Sequence, residues 1–131
     1  MAGLAIDVLV AEALAALAPL DEPCRHSRAV RRARNLLREC IAEQIALDDL
    51  AAYAGVDKFR LCRAFRAEGG IPPHAYLTEL RVVRAKELLA AGALPRDLAP
   101  LVGFYDQSQL IRHFRRIVGA TPGRWARELP A

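Results

Sequence analysis

Phe59, Cys62, Arg63 and Arg66 follow one another at intervals of three, one and three residues, and Ser108, Ile111, Arg112 and Arg115 repeat those intervals further along the chain. On a helix this spacing places each set of four on one face. Both faces mix one apolar side chain with arginines, and Gln107 stands beside the second set in the first turn of its helix. An outward Phe among arginines has no core to fill. The mixture suits the edges of base pairs: Arg donates bidentately to guanine O6 and N7, Gln pairs with adenine, and apolar groups meet the thymine methyl. Phosphates need only charge and donors. The residue types therefore assign Arg63 and Arg112 to base edges and Phe59 and Ile111 to apolar base contacts, with Gln107 and Ser108 suited to either bases or backbone. Lys58, Arg60, Arg66, Arg115 and Arg116 are assigned to phosphates. An isolated surface arginine is ordinarily just a solvated charge. Here the duplication of the pattern argues otherwise.

Other chemistries lack their residues. His26, His74 and His113 are far apart and without metal-ligand spacing, and there is no glycine-rich phosphate loop. Cys24, Cys40 and Cys62 form an odd set without a C-x-x-C pair, so neither a disulfide framework nor a zinc site is expected. Cys62 is read as a small side chain, not as a redox switch. No catalytic residue, metal or cofactor is expected, and the chain is read as a non-enzyme.

The elements that must carry these faces come as a repeat. Leu50-Ala51, Gly55, Asp57, Leu61, Arg63, Phe65-Arg66, Gly70, Pro73 and Tyr76 recur at an offset of 48 to 49 residues as Leu98-Ala99, Gly103, Asp106, Leu110, Arg112, Phe114-Arg115, Gly119, Pro122 and Trp125. Each copy reads as a short helix, a tight turn and a second helix. Gly55 and Gly103 suit a left-handed C-cap, and Asp57 and Asp106 stand where the next helix needs an N-cap. Those second helices run to about Glu68 and Val118. In the first, Leu61, Ala64 and Phe65 face inward; in the second, Leu110, Phe114, Ile117 and Val118 do. Thr121-Pro122, an N-cap followed by Pro at the first helical position, opens a short closing helix with Trp125.

The first helix-turn-helix spans about 47–70 and the second about 94–119, and a helix over about 72–91 links them. At roughly 1.5 Å per residue the linking helix is about 30 Å long, close to the roughly 34 Å between half-sites one DNA turn apart. Leu77, Val82, Ala85, Leu88 and Leu89 share one broad side of it, opposite Glu79, Lys86 and Glu87. Arg81 lies within the apolar sector, so a structural pairing with a carboxylate or with helix-end carbonyls is expected. Upstream, Val30, Ala33, Leu37 and Ile41 predict a helix against the first unit, its Arg28, Arg31, Arg32, Arg34 and Arg38 read as solvated, with phosphate contact the lesser alternative. Pro100 predicts distortion of the short helix before Gly103. Ala46 stands where a capping hydroxyl is usual, with Asp48 and Asp49 compensating through the helix dipole.

Composition agrees with an all-α chain: 131 residues, 53% hydrophobic, mostly Ala and Leu, and only 6% aromatic. The net charge of +4 is unevenly spread. Asp7, Glu12, Asp21 and Glu22 precede Pro23 with no Lys or Arg among them, which leaves 19 basic against 11 acidic groups in the remainder. That excess suggests a polyanionic partner. The apolar run from Leu4 to Leu20 is interrupted by Asp7 and Glu12 and has no basic segment before it, so residues 1–22 are read as a helical segment or linker and not as a membrane span.

Gly103-Phe104-Tyr105-Asp106-Gln107-Ser108, Leu110, Arg112, Phe114-Arg115-Arg116, Gly119 and Thr121-Pro122 resemble, almost residue for residue, the signature of the C-terminal DNA-binding domain of the AraC/XylS family of bacterial regulators. The resemblance covers about Leu47 to Leu129. It implies an all-α fold of about seven helices, two homeodomain-like helix-turn-helix subdomains joined by a long helix, within an AraC-type domain over 23–131. It also implies double-stranded DNA as partner, with one recognition helix of each unit in the major groove. By matching positions, the base-contacting sites are Phe59, Cys62, Arg63, Gln107, Ser108, Ile111 and Arg112, while Asp57, Gly103, Asp106, Thr121, Pro122 and Arg81 are structural. Cys62 departs from the longer polar residue usual there. The implied role is transcription regulation, activation included, in the bacterial cytoplasm at the nucleoid. RNA polymerase is a further candidate partner, and most members carry a separate N-terminal effector or dimerisation domain for which 131 residues leave no room, so the chain is read as a piece of a longer regulator, with a small stand-alone member as the alternative. A protein-interaction module using the same faces to bind a polymerase subunit or another regulator is the alternative, and it would respond less steeply to salt than phosphate contact does.

Overall fold

The computed structural model of the chain describes residues 22–130; the helical segment or linker expected over 1–22 lies outside them, apart from Glu22, which opens the first described helix. Among the described residues there are seven α-helices and no strand: α1 (Glu22–Glu39), α2 (Leu47–Ala54), α3 (Lys58–Gly69), α4 (Pro73–Ala90), α5 (Leu98–Val102), α6 (Gln107–Val118) and α7 (Pro122–Arg127). A 3₁₀ turn, Pro95–Asp97, precedes α5. The chain divides into two compact units, one of residues 22–39 and 45–75, the other of 40–44 and 76–130.

In the first unit α1 packs on α2 and α3. Ala29, Val30, Ala33 and Leu37 of α1, Leu50, Ala51 and Ala54 of α2, and Leu61 and Phe65 of α3 are buried. Ile41, expected on α1, lies beyond its end and belongs to the second unit. Arg34 is half-buried, not solvated, because its guanidinium lies 5.4 Å from the centre of the Phe65 ring. Helix α2 starts at Ala46 without a side-chain cap, with Asp48 and Asp49 in its first turn where carboxylates favour the helix dipole.

The second unit is built around Val82, Ala85 and Leu89 of α4, Leu98, Ala99 and Val102 of α5, Phe104, and Leu110 and Phe114 of α6. Trp125 of α7 closes this cluster edge-on to Phe114, with ring centres 6.0 Å apart. Lys86, expected on the solvent side of α4, instead lies half-buried with its ammonium 5.6 Å from the centre of the Trp125 ring. The distortion expected at Pro100 takes the form of the 3₁₀ turn. Helix α5 begins only two residues before the proline, so the missing N–H falls in a first turn, where amides have no intrahelical partner.

Residues 40–44 sit against the start of the second turn. Arg81, only 8% exposed, donates from Nε to the Ile41 carbonyl at 2.9 Å and from Nη2 to the Glu43 carbonyl at 3.0 Å. The Phe104 ring lies 5.7 Å from its guanidinium carbon. Burial pulls the Arg81 pKa down, and carbonyl dipoles just past the end of α1 take the place of a carboxylate in holding the charge. Gln44 adds a bond from Nε2 to the Gly103 carbonyl at 2.7 Å.

Gly103 has φ 95° and no room for a side chain: a Cβ there would stand 2.5 Å from the Ile41 carbonyl oxygen and 2.8 Å from the Ala42 Cα. Gly119 shares the left-handed φ, at 93°, but faces open space. Gly119→Ala therefore carries conformational strain alone, while Gly103→Ala adds a backbone collision. We expect Gly103→Ala to destabilise by more than about 1 kcal/mol and by clearly more than Gly119→Ala, read from chemical denaturation midpoints. Equal losses would show that the packing of residues 40–44 on Gly103 contributes nothing.

Candidate nucleic-acid interface

In the first unit the chain turns out of α2 at Gly55, φ 84°, whose N–H bonds back to the Ala51 carbonyl at 2.9 Å. Two residues later Asp57 caps α3, its Oδ1 accepting from the Arg60 N–H at 2.9 Å. Leu61 and Phe65, four residues apart and fully buried, set the roll of α3. The opposite face presents Phe59, 69% exposed, with Arg63 and Arg66 exposed and Cys62 half-buried among them. Two of the expected phosphate contacts already have partners. Lys58 Nζ is 3.6 Å from Asp48 and 5.5 Å from the centre of the Phe59 ring, and Arg60 Nε is 3.3 Å from Asp57. Exposed pairs of this kind hold by about 0–1 kcal/mol and yield easily to a phosphate.

The second unit repeats the device. Gly103 ends α5, Asp106 caps α6 by accepting from the Gln109 N–H at 2.8 Å, and Leu110 and Phe114 are fully buried. Gln107, Ser108, Arg112 and Arg115 are exposed and Ile111 is half-buried between them. Ser108, Ile111, Arg112, Arg115 and Arg116 line one open groove of about 660 Å³. Ile117, expected inward, is 39% exposed and stands outside the cluster that holds Phe114 and Val118. Thr121 accepts from the Arg124 N–H at 3.2 Å and so caps α7 as expected.

Three residues to which the sequence pattern assigns no role bear on this surface. Gln109 reaches back from the third position of α6, its Oε1 accepting from the Tyr105 N–H at 2.7 Å. The Asp-x-x-Gln spacing of a capping box was the available signal. Tyr105 itself, immediately before the cap, is 90% exposed. His113 stacks on Phe104 at 5.5 Å and 15°, and its Nδ1 lies 3.1 Å from Arg116 Nη2. A guanidinium can only donate, so Nδ1 is the acceptor and the proton of the neutral ring sits on Nε2. Arg116 is thereby held at the edge of the groove.

Burial first, then the charges of Arg116 and Arg112, push the His113 pKa below the usual histidine value. The unfolded chain then binds more protons than the folded one over the intervening range, and stability rises with pH there. The contribution of a neutral His113 is complete above about pH 6.5 and is lost as the pH falls from there toward the depressed folded value. The stability difference between wild type and His113→Gln should be flat from about pH 8 to 7 and shrink toward pH 5 in denaturation experiments. A difference that grew on acidification would reverse the assigned protonation state.

Among the described residues no His, Cys, Asp and Glu side chains gather in a group that could hold a metal ion, and no helix is long and apolar enough to cross a membrane. A protein-family model described as a helix-turn-helix domain matches residues 50–128. The chain is 37% identical over 94 residues to the HTH-type transcriptional regulator YbfI of Bacillus subtilis, an alignment covering 72% of this chain and 33% of that protein. It thus spans about a third of that relative's length. Among solved structures it is similar to the C-terminal domain of AraT, a response regulator from Geobacillus stearothermophilus, with a TM-score of 0.73 and 27% identity over 79% of this chain and 87% of that one. It is also similar to the DNA-binding domain of the global transcriptional factor AdpA, solved in complex with a target DNA, with a TM-score of 0.70 and 28% identity over 75% of this chain and 89% of that one.

Proposed function

Because the chain belongs to the AraC-type helix-turn-helix family, we propose that it is a sequence-specific DNA-binding transcription regulator that inserts α3 and α6 into successive major-groove segments. The observation that carries this reading is the face of α6. Ser108, Ile111, Arg112 and Arg115 stand in one row over a shared groove, with Gln107 exposed in the first turn. Donors for guanine, an amide for adenine and an apolar group for thymine lie within about a turn and a half of one another there. The target DNA held by the AdpA domain supports the same use of a similar fold.

Within the reading, Arg112 and Arg63 address base edges, Gln107 and Ser108 add hydrogen bonds, Ile111 and Phe59 make apolar contacts, and Cys62 lies between Phe59 and Arg63. Lys58, Arg60, Arg66, Arg115 and Arg116 hold phosphates. The regulator works in the cytoplasm at the nucleoid. Activation through RNA polymerase and control by an N-terminal effector or dimerisation domain are the finer parts of the proposal.

Arg112→Ala should cost about 1–3 kcal/mol of affinity for a selected site and relax preference at one base position. Arg115→Ala should weaken every duplex alike and lower the salt slope by about 1. Fluorescence anisotropy on matched and single-base variant duplexes separates the two. If Arg112→Ala and Arg63→Ala both left affinity and sequence preference unchanged, these helices would not read bases.

A further inference from the structure

Helix α1 carries a charge pattern that the described residues of the first unit do not neutralise. Between residues 23 and 38 there are six arginines, no lysine, and no aspartate or glutamate. Arg28, Arg31 and Arg32 are exposed and form no ion pair among the described residues. Like charges three and four residues apart destabilise a helix, and a surface helix that is merely solvated usually interleaves the two signs. Arg28 with Arg31 and Arg32, and Arg31 with Arg34, stand at that spacing.

The position of these arginines matters as much as their number. Ser27, Arg31, Arg34 and Arg38 follow the four-three-four spacing of one row along α1. Two members of that row touch the C-terminal end of α3. Ser27 Oγ donates to Glu68 Oε1 at 2.7 Å, and Arg34 lies over Phe65, its Nη2 2.9 Å from where a Cβ on Gly69 would stand. The row therefore borders the end of the recognition helix that carries exposed Arg66, and Arg28 and Arg32 form the next row outward.

We propose that Arg28, Arg31 and Arg32 form a phosphate-binding shelf that continues the basic edge of α3 and grips the DNA backbone outside the first unit's base contacts, an inference that rests on the DNA-binding reading above. The occupant is the duplex backbone. Its phosphates are regularly spaced anions, and the planar, always-charged guanidinium forks presented here match phosphate oxygens without sequence preference. The shelf also meets a need of its own unit. The α3 face offers Phe59 where α6 offers Ser108, and Lys58, paired with Asp48, where α6 offers Gln107, so the first unit has fewer hydrogen bonds to bases and gains most from backbone contacts.

The test uses the full chain and its triple variant Arg28→Gln/Arg31→Gln/Arg32→Gln, with Arg28→Lys/Arg31→Lys/Arg32→Lys as the charge-preserving control. Gln and Lys both keep helix propensity, and circular dichroism checks that α1 survives. Binding is measured on a selected duplex and on an unrelated one from about 50 to 200 mM salt. The shelf predicts equal losses on both duplexes and a slope of log K against log salt that is shallower by roughly 0.9 for each phosphate no longer neutralised. For three such phosphates, the wild-type advantage shrinks on the order of 40-fold across that salt range. The lysine variant should keep most of the slope. A second measurement trims the duplex on the side of the first unit: wild type should lose affinity and the glutamine variant should not. An unchanged slope with wild-type binding intact would overturn the shelf and leave the base-reading assignment standing. Failure of the wild type to bind any duplex would overturn both.

Discussion

What each unit can touch depends on how one helix is rolled about its axis, and two buried side chains set that roll. In α6 they are Leu110 and Phe114, and in α3 Leu61 and Phe65, all fully buried. A slip of one residue would turn the helix by about 100° and put Ile111 and Arg115 where Leu110 and Phe114 stand in the core. The glycine that ends the preceding helix and the aspartate that caps the next determine which residue comes first. Gly103 is pressed against residues 40–44, which Arg81 fastens by two carbonyl bonds, so the start of the α6 turn is clamped from outside as well as by its own dihedral angles. The exposed face is a consequence of burial on its other side.

Held at the same roll, the two faces differ in chemistry. The α6 face is polar and continuous, with Arg116 steadied by a neutral His113. On α3 the exposed group nearest the cap is an aromatic ring attended by a lysine, and the cations at its start are tied to Asp48 and Asp57. Those surface pairs contribute little to stability. They hold Lys58 and Arg60 near the turn. The unit with fewer base-directed donors is the one that stands beside the arginine rows of α1.

Much of this was legible in the sequence because it rests on local rules. The capping aspartates, the left-handed glycines, the proline-opened α7 and the four-residue spacing of Leu110 and Phe114 follow from short-range chemistry, and the structure has each of them. Arg81 was legible as a misplaced charge, since an arginine inside an apolar sector requires acceptors. The departures come where distant parts of the chain decide. Ile117 is more than a third exposed because a helical wheel assumes a core along the whole helix, and only packing decides where that core stops. Arg34 and Lys86 read as solvent-facing because periodicity ignores a neighbouring ring that can shelter an aliphatic stem and face a cation. The end of α1 at Glu39 could not be read from Ile41, whose apolar side chain continues the helical period while its carbonyl serves Arg81 within the second unit.

Selection of bound sequences from a random duplex pool by the full chain tests the central claim most directly. The account predicts two enriched motifs about one helical turn, roughly 10 base pairs, apart from centre to centre. The motif that disappears with Arg112→Ala should be the more sharply defined and the one lost with Arg63→Ala the more degenerate. A pool that emerges without any enriched sequence, or with a single motif indifferent to both arginines, would contradict it.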